Sequence, residues 1–193
     1  MLREKLKNYS IILASGSPRR QQFFKDLDLD FEIRLKEVEE IYPKELNGSE
    51  ITDFLADLKS KPFDNELTGK DVLITSDTIV WFNNTALGKP KNEEDAFTML
   101  RSLSGNKHEV VTSISIKSIH FQKIINDTTS VYFKELTDDE IHYYIKNYQP
   151  FDKAGSYGIQ DWFGFIAVDK IEGSYFNVAG LPVHKLYKEL MKL

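Results

Sequence analysis

The chain has 193 residues, 41% hydrophobic and 28% charged, ordinary globular values and a length that allows one large domain with a real core. A net charge of -5 argues against a broad grip on nucleic-acid backbone, but not against a single nucleotide, whose triphosphate a few cations and a divalent metal can offset. The absence of cysteine excludes disulfides, thiolate zinc sites and cysteine nucleophiles. No apolar run approaches the length of a membrane span, and the first residues lack the pattern of a secretory signal, so a cytoplasmic location is expected.

Ser10 to Ala14 is an apolar run expected as a buried strand. SGSPRR follows, with Ser17 suited to cap a helix and Pro18 to its first turn, so backbone N–H groups should point into the loop. Phe31, Ile33 and Leu35 alternate with charged residues as a period-2 strand does, and acidic Glu37, Glu39 and Glu40 end it. Ser49 is placed to cap a helix with Ile51, Phe54, Leu55 and Leu58 on one face, stopped by Pro62. Val72 to Thr75 and Ile79 to Phe82 read as strands on either side of Asp77, and Asn83-Asn84 is a turn signal.

Asn92 should open a helix with Phe97, Leu100 and Leu103 inward and Gly105 beyond its end. Val110, Thr112, Ile114 and Ile116 form an alternating strand, with Ser130 to Phe133 expected beside it after a polar turn at 126–129. Thr137 and Glu140 make a capping box for a helix over Ile141 to Tyr148. Phe163 to Val168 reads as a strand, and a Pro182-initiated helix runs through Leu186 and Leu190. Strands and helices mix without strict alternation or repeat, which predicts an α/β domain with a mixed sheet.

Several of these residues suggest chemistry. Asp152 to Gln160, DKAGSYGIQ, joins a charge pair, two glycines, an aromatic ring and an amide in nine residues, and reads as a ligand loop. In SGSPRR, hydroxyls, backbone amides and two arginines converge at a helix start, suiting phosphate; an ordinary capped helix with solvated arginines is the competing reading, and the Walker pattern is absent. Asp77 lies in an apolar, β-rich stretch, where a carboxylate needs a partner unless it sits on a surface bend. Glu40 is a possible second oxygen ligand for a metal, or a solvated acid. Lys59 and Lys89 are candidate phosphate partners; Lys59, off the inward face, alone reads as solvated, and a lone GKP is a common turn. His108 has no second histidine at metal-ligand spacing, which disfavours zinc, and His120, His142 and His184 are scattered. No GxSxG elbow or serine triad order occurs.

Taken in order, LASGSPRR, Glu39-Glu40, LADLK, SDTIV, GKP, LSGNKHEVVTSISI, DKAGSYGIQ and GSYFNVAGLP resemble the Maf family of nucleoside triphosphate pyrophosphatases, over about Ile11 to Leu186. Arg19, Thr78 and Gln160 resemble the branch acting on dTTP and UTP, whereas a sister branch acting on 7-methyl-GTP typically has Trp and Glu at the first and last of these places. The resemblance implies one Maf-like domain over 1–193 with an inosine-triphosphatase-like fold, an elongated mixed sheet flanked by helices, and two lobes around a deep cleft. It implies hydrolysis between the α and β phosphates with Mg²⁺ or Mn²⁺, and a homodimer. Asp77 matches the family's proton acceptor and, with Glu40, its metal site. Ser15, Arg19, Arg20, Lys59 and Lys89 match the phosphate side, and Lys153 brings charge toward the nucleotide. LADLKS departs from the commoner LAxxKA but keeps Lys59. Base choice is expected in DKAGSYGIQ, where the Gln160 amide complements a uracil or thymine edge. Two other readings remain: the same chemistry on another base, or a non-catalytic nucleotide-binding regulator of septum formation.

Overall fold

The computed structural model describes residues 1–193. In chain order the elements are α1 (Leu2–Lys5), β1 (Ser10–Leu13), α2 (Pro18–Asp26), β2 (Phe31–Ile33), α3 (Ser49–Ser60), β3 (Asp71–Phe82), β4 (Thr85–Leu87) and α4 (Glu93–Leu103). There follow β5 (Lys107–Lys117), β6 (Gln122–Phe133), α5 (Asp138–Tyr148), α6 (Trp162–Ala167), β7 (Val168–Glu172), α7 (Tyr175–Val178) and α8 (Val183–Leu190). The strands form one mixed sheet in the order β2-β1-β3-β5-β6-β7, with β4 paired to β3. β1 runs parallel to β2 and β3, while β4 on β3 and β7 on β6 are antiparallel. The expected α/β class with a mixed sheet is therefore what forms.

The chain divides into two compact units. The first comprises Met1–Asp77, Thr112–Asp127 and Gly180–Leu193; the second comprises Thr78–Val111 and Thr128–Ala179.

In the first unit the register Ile11↔Val72 and Leu13↔Ile74 puts these four residues on one face of the sheet. They pack with Phe24 of α2 and with Leu186 and Leu190 of α8, while Ile12 and Leu73 turn to the other face against Phe63. Apolar residues on both faces are what a buried parallel pair requires. α3 buries Ile51, Thr52, Leu55, Ala56 and Ser60. Its polar inward positions are satisfied: Thr52 Oγ1 lies 2.6 Å from Ser113 Oγ, Ser113 Oγ donates to Asp53 Oδ1, and Thr75 Oγ1 donates to Ala56 O.

The second unit starts within β3 and turns tightly at Asn83 and Asn84, both in the left-handed region, into β4. Asn92 caps α4 by accepting from Asp95 N, as its position before the helix suggests. The Thr137–Glu140 capping box forms with both hydrogen bonds, fixing the start of α5. An aromatic core of His108, Phe133, Tyr157, Phe163 and Tyr144 fills this unit with mainly edge-to-face or tilted pairs.

Several sequence expectations need correction. Gly48, not Ser49, occupies the cap of α3, and the buried face includes Thr52 and Ala56 rather than Phe54 and Leu58. β2 is short and leaves Ile33 and Leu35 exposed. β6 is continuous from 122 to 133; the turn before it lies at 118–121, closed by Ser118 N donating to Phe121 O, so no turn falls at 126–129. Phe163 to Ala167 is helical, not extended: Phe163 and Ala167, four apart, are buried while Phe165 is 79% exposed. A strand would have put all three on one face. Replacing Thr137 with Ala should cost about 1 kcal/mol of stability through loss of the α5 cap, measurable by urea denaturation.

Candidate active site

Candidate functional residues occur in both units. In the first, the turn from β1 into α2 places Ser15, Ser17, Arg19 and Arg20 at a helix N-terminus. Ser15 is buried and its Oγ accepts from Ser17 N at 3.3 Å, while Ser17 Oγ accepts from Arg20 N at 3.5 Å. Pro18 holds the first helical position, where its missing N–H costs nothing. Arg20 turns back into the unit: Nε donates to Gly180 O and Nη1 to Ser76 O, both at 2.9 Å. Burial lowers its pKa to about 10, opposed by the Asp77 carboxylate, so it stays cationic at neutral pH. Two of its donors thus pin backbone, one of them at the residue preceding Asp77.

Asp77 sits in the middle of a continuous β3 and is only 5% exposed, which removes the surface-bend reading. Lys59, in the last turn of α3, reaches it: Nζ lies 2.7 Å from Asp77 Oδ1 and 2.9 Å from Glu40 Oε1. Lys59 is therefore not a solvated lysine off an inward face. One ammonium holds two carboxylates that would otherwise repel, and its charge-assisted bonds make up for part of the desolvation of Asp77. Asp77 Oδ2 is buried and has no hydrogen-bond partner. A buried carboxylate oxygen left open in this way is uncommon and calls for a water, substrate or cation.

The donor set at this point is all oxygen, which fits a hard divalent cation. No three His, Cys, Asp or Glu side chains gather to hold a metal, so Glu40 and Asp77 could supply only part of a coordination shell. Phosphate oxygens and water are the natural remainder.

In the second unit, Thr78 continues β3 with partial exposure, and Lys89 stands exposed after Gly88. Gly88 O accepts from Gly155 N at 3.0 Å, so the GKP segment and DKAGSYGIQ are tied together. The glycines of that segment are held tightly within the chain. Gly155 is buried with φ +65°, and a Cβ there would lie 2.6 Å from Val80 Cγ2. A Cβ on Gly158 would overlap the Asp161 carboxylate. Their close approaches are to this chain's own residues, not to open space. The aromatic of the segment, Tyr157, is likewise buried, with its hydroxyl 2.8 Å from His108 Nε2. Lys153 pairs with Asp152 Oδ1 at 2.7 Å and lies 3.7 Å from Asp161 Oδ2. Of the nine residues, two carry a buried side-chain oxygen without a partner, Ser156 Oγ and Gln160 Oε1.

Three residues not singled out for this role hold the segment: His108, Tyr144 and Asp161. Tyr144 Oη donates to Asp161 Oδ2 and accepts from Gly158 N, each at 3.0 Å. Helical periodicity with Ile141 and Ile145 could have placed Tyr144 inward, but nothing in the Tyr143-Tyr144 pair says which hydroxyl meets the loop.

The family model described as Maf-like protein matches residues 10–193. The chain is 64% identical to the dTTP/UTP pyrophosphatase of Flavobacterium johnsoniae over 193 residues, covering all of both chains. It is 59% identical to the dTTP/UTP pyrophosphatase of Flavobacterium psychrophilum, over 99% of this chain and 98% of that one. Among solved structures, the Staphylococcus aureus Ham1 protein aligns at 20% identity with a TM-score of 0.47, over 64% of this chain and 71% of that one.

Burial lowers the His108 pKa to about 3, against about 6.5 for a free ring. The unfolded chain then binds a proton below pH 6.5 that the folded ring refuses. Stability from this group is complete above pH 6.5 and is lost as pH falls toward 3. From pH 7 to pH 5 the loss should be about 2 kcal/mol, and His108→Gln should remove most of it; an unchanged slope in urea denaturation would contradict the assignment.

Proposed function

The chain belongs to the Maf-like protein family, and we propose that it hydrolyses nucleoside triphosphates, dTTP and UTP before others, between the α and β phosphates. The products are a nucleoside monophosphate and pyrophosphate, which suits a housecleaning role in the nucleotide pool. The relatives named dTTP/UTP pyrophosphatase, alike over the full length, support the substrate. The observation that carries the chemistry is Asp77: a carboxylate buried in mid-strand, fixed through one oxygen by Lys59 and open at the other.

Water attacks the α phosphorus, the bond from that phosphorus to the bridging oxygen breaks, and pyrophosphate leaves with the electron pair. Asp77 Oδ2 is placed to accept the water's proton, because its geometry is set through Oδ1 and it has no competing donor. Glu40 and Asp77 would hold Mg²⁺ or Mn²⁺. When bound, the cation would supply positive charge against the negative charge building on the departing pyrophosphate. Lys59 keeps both carboxylates in place. Arg20 fixes the backbone at Ser76, and with Ser15, Arg19 and the amides that open α2 it forms a phosphate-side group. Lys89, exposed, adds a cation for the leaving phosphates, and Lys153 charge on the nucleotide side.

Base choice is assigned to Gln160, with Arg19 and Thr78 completing the pattern of the dTTP/UTP branch. An open Oε1 accepts from N3–H of uracil or thymine, and the Nε2 of the same amide donates to O4. Cytosine has no N3–H and presents a donor where O4 would be, so it should be the poorer substrate. A homodimer and a cytoplasmic location belong to the same proposal. No helix is long and apolar enough to cross a membrane.

Pyrophosphate release from UTP, dTTP, CTP and 7-methyl-GTP tests this reading directly. Asp77→Asn should lower kcat by about 10²–10⁴ in a protein that still folds, and near-normal turnover would remove Asp77 from the chemistry. Chelation with EDTA should abolish release from every substrate and added Mg²⁺ or Mn²⁺ should restore it; turnover that persists in EDTA would rule out the metal.

A further inference from the structure

The turn that presents Gln160 is closed by a single phenol. Asp161 N donates to Gly158 O at 3.1 Å, making a tight turn over residues 158–161 with Gln160 in its third position. The two ends of that turn are also joined from outside, because Tyr144 Oη accepts from Gly158 N and donates to Asp161 Oδ2. The result is a closed ring of three hydrogen bonds around Ile159 and Gln160. Tyr144 is itself fixed. It lies fully buried on α5, its ring 4.6 Å from Phe163 and 5.2 Å from Tyr148, on a helix whose start is set by the Thr137–Glu140 box.

We propose that Tyr144 is the specificity-positioning residue of this site, its hydroxyl clamping the 158–161 turn so that the Gln160 amide faces the base edge in one orientation. The proposal rests on the assignment of base choice to Gln160. Two features of the clamp explain why a tyrosine is required. A hydroxyl can accept from one group and donate to another at the same atom, which joins an N–H to a carboxylate. Burial, with the Asp161 charge beside it, pushes the phenol's pKa far above its ordinary value, so the donor is never lost at working pH. Gly158 completes the arrangement, since any side chain there would displace the carboxylate.

Tyr144→Phe keeps the ring and removes only the clamp, leaving the buried Gly158 N–H without that partner. In a panel of nucleoside triphosphates, the kcat/KM ratio between the preferred base and its best competitor should fall about tenfold. The loss should appear as a raised KM for the preferred substrate with kcat largely kept, because Asp77 and its partners are untouched. Gln160→Ala should lose the same discrimination, and the double variant should lose no more than Gln160→Ala alone. Ile145→Val, which loosens α5 without touching the turn, serves as the stability control and should leave the ratio as it is. A Tyr144→Phe ratio within about twofold of the unmodified chain, additive losses in the double variant, or an equal effect of Ile145→Val would overturn the clamp. Failure of the unmodified chain to release pyrophosphate from any triphosphate would instead overturn the proposed activity. In that case the panel is read as binding affinities, and the same ratio decides the clamp.

Discussion

An ionised carboxylate in the middle of a buried strand is tolerated only if something compensates for its lost hydration, and here that is the Lys59 ammonium. The pairing constrains much of the first unit. α3 must end beside β3 for Lys59 to reach Asp77, and the acidic stretch after β2 must return far enough for Glu40 to share the same nitrogen. Arg20 adds a second restraint by holding the carbonyl of Ser76, so side chain and backbone are fixed together. What is left over is one carboxylate oxygen without a partner, and the proposed chemistry uses that atom.

The second unit solves a different problem. Here a glutamine amide is held while its oxygen stays without a partner. DKAGSYGIQ does this by packing on the chain itself: Gly155 against Val80, Tyr157 on His108, and the turn around Gln160 on Tyr144 and Asp161. The order comes from buried aromatic and hydroxyl partners, which leaves the Gln160 Oε1 open. A segment that looks from its composition like an adaptable loop is thus closer to a rigid mount. Pre-organisation of this kind reduces the ordering cost on binding.

Legibility in the sequence followed the range of the interaction. The capped starts of α2, α4 and α5 depend on contacts within four residues, and Ser17, Asn92 and Thr137 all cap as their positions suggest. Elements decided by distant packing were misjudged. Phe163 to Val168 is apolar enough for a strand, yet the aromatic core takes Phe163 and Ala167 and releases Phe165, a spacing only a helix supplies. The β6 stretch at 126–129 is polar enough to suggest a turn. It stays extended because Asn126 donates to the Asp53 carboxylate, and the buried Thr129 Oγ1 receives from Ser174 N and donates to Ser174 O. Lys59 alone looked solvated, since no local pattern announces an ion pair 18 positions away.

By itself the sequence determined the α/β class, the family, and a set of residues whose order along the chain points to nucleotide chemistry. Those are properties of local pattern and of motif order, which a linear string records. Tertiary structure alone decided that Asp77 is buried in one continuous strand, that Lys59 neutralises it together with Glu40, and that Tyr144 closes the turn bearing Gln160. Each of these joins groups far apart in the chain, or depends on which polar atoms remain after all others have found partners. Desolvation acts on the folded arrangement, and it is desolvation that makes an unpartnered oxygen notable on an ordinary aspartate in the first unit and on an ordinary glutamine in the second.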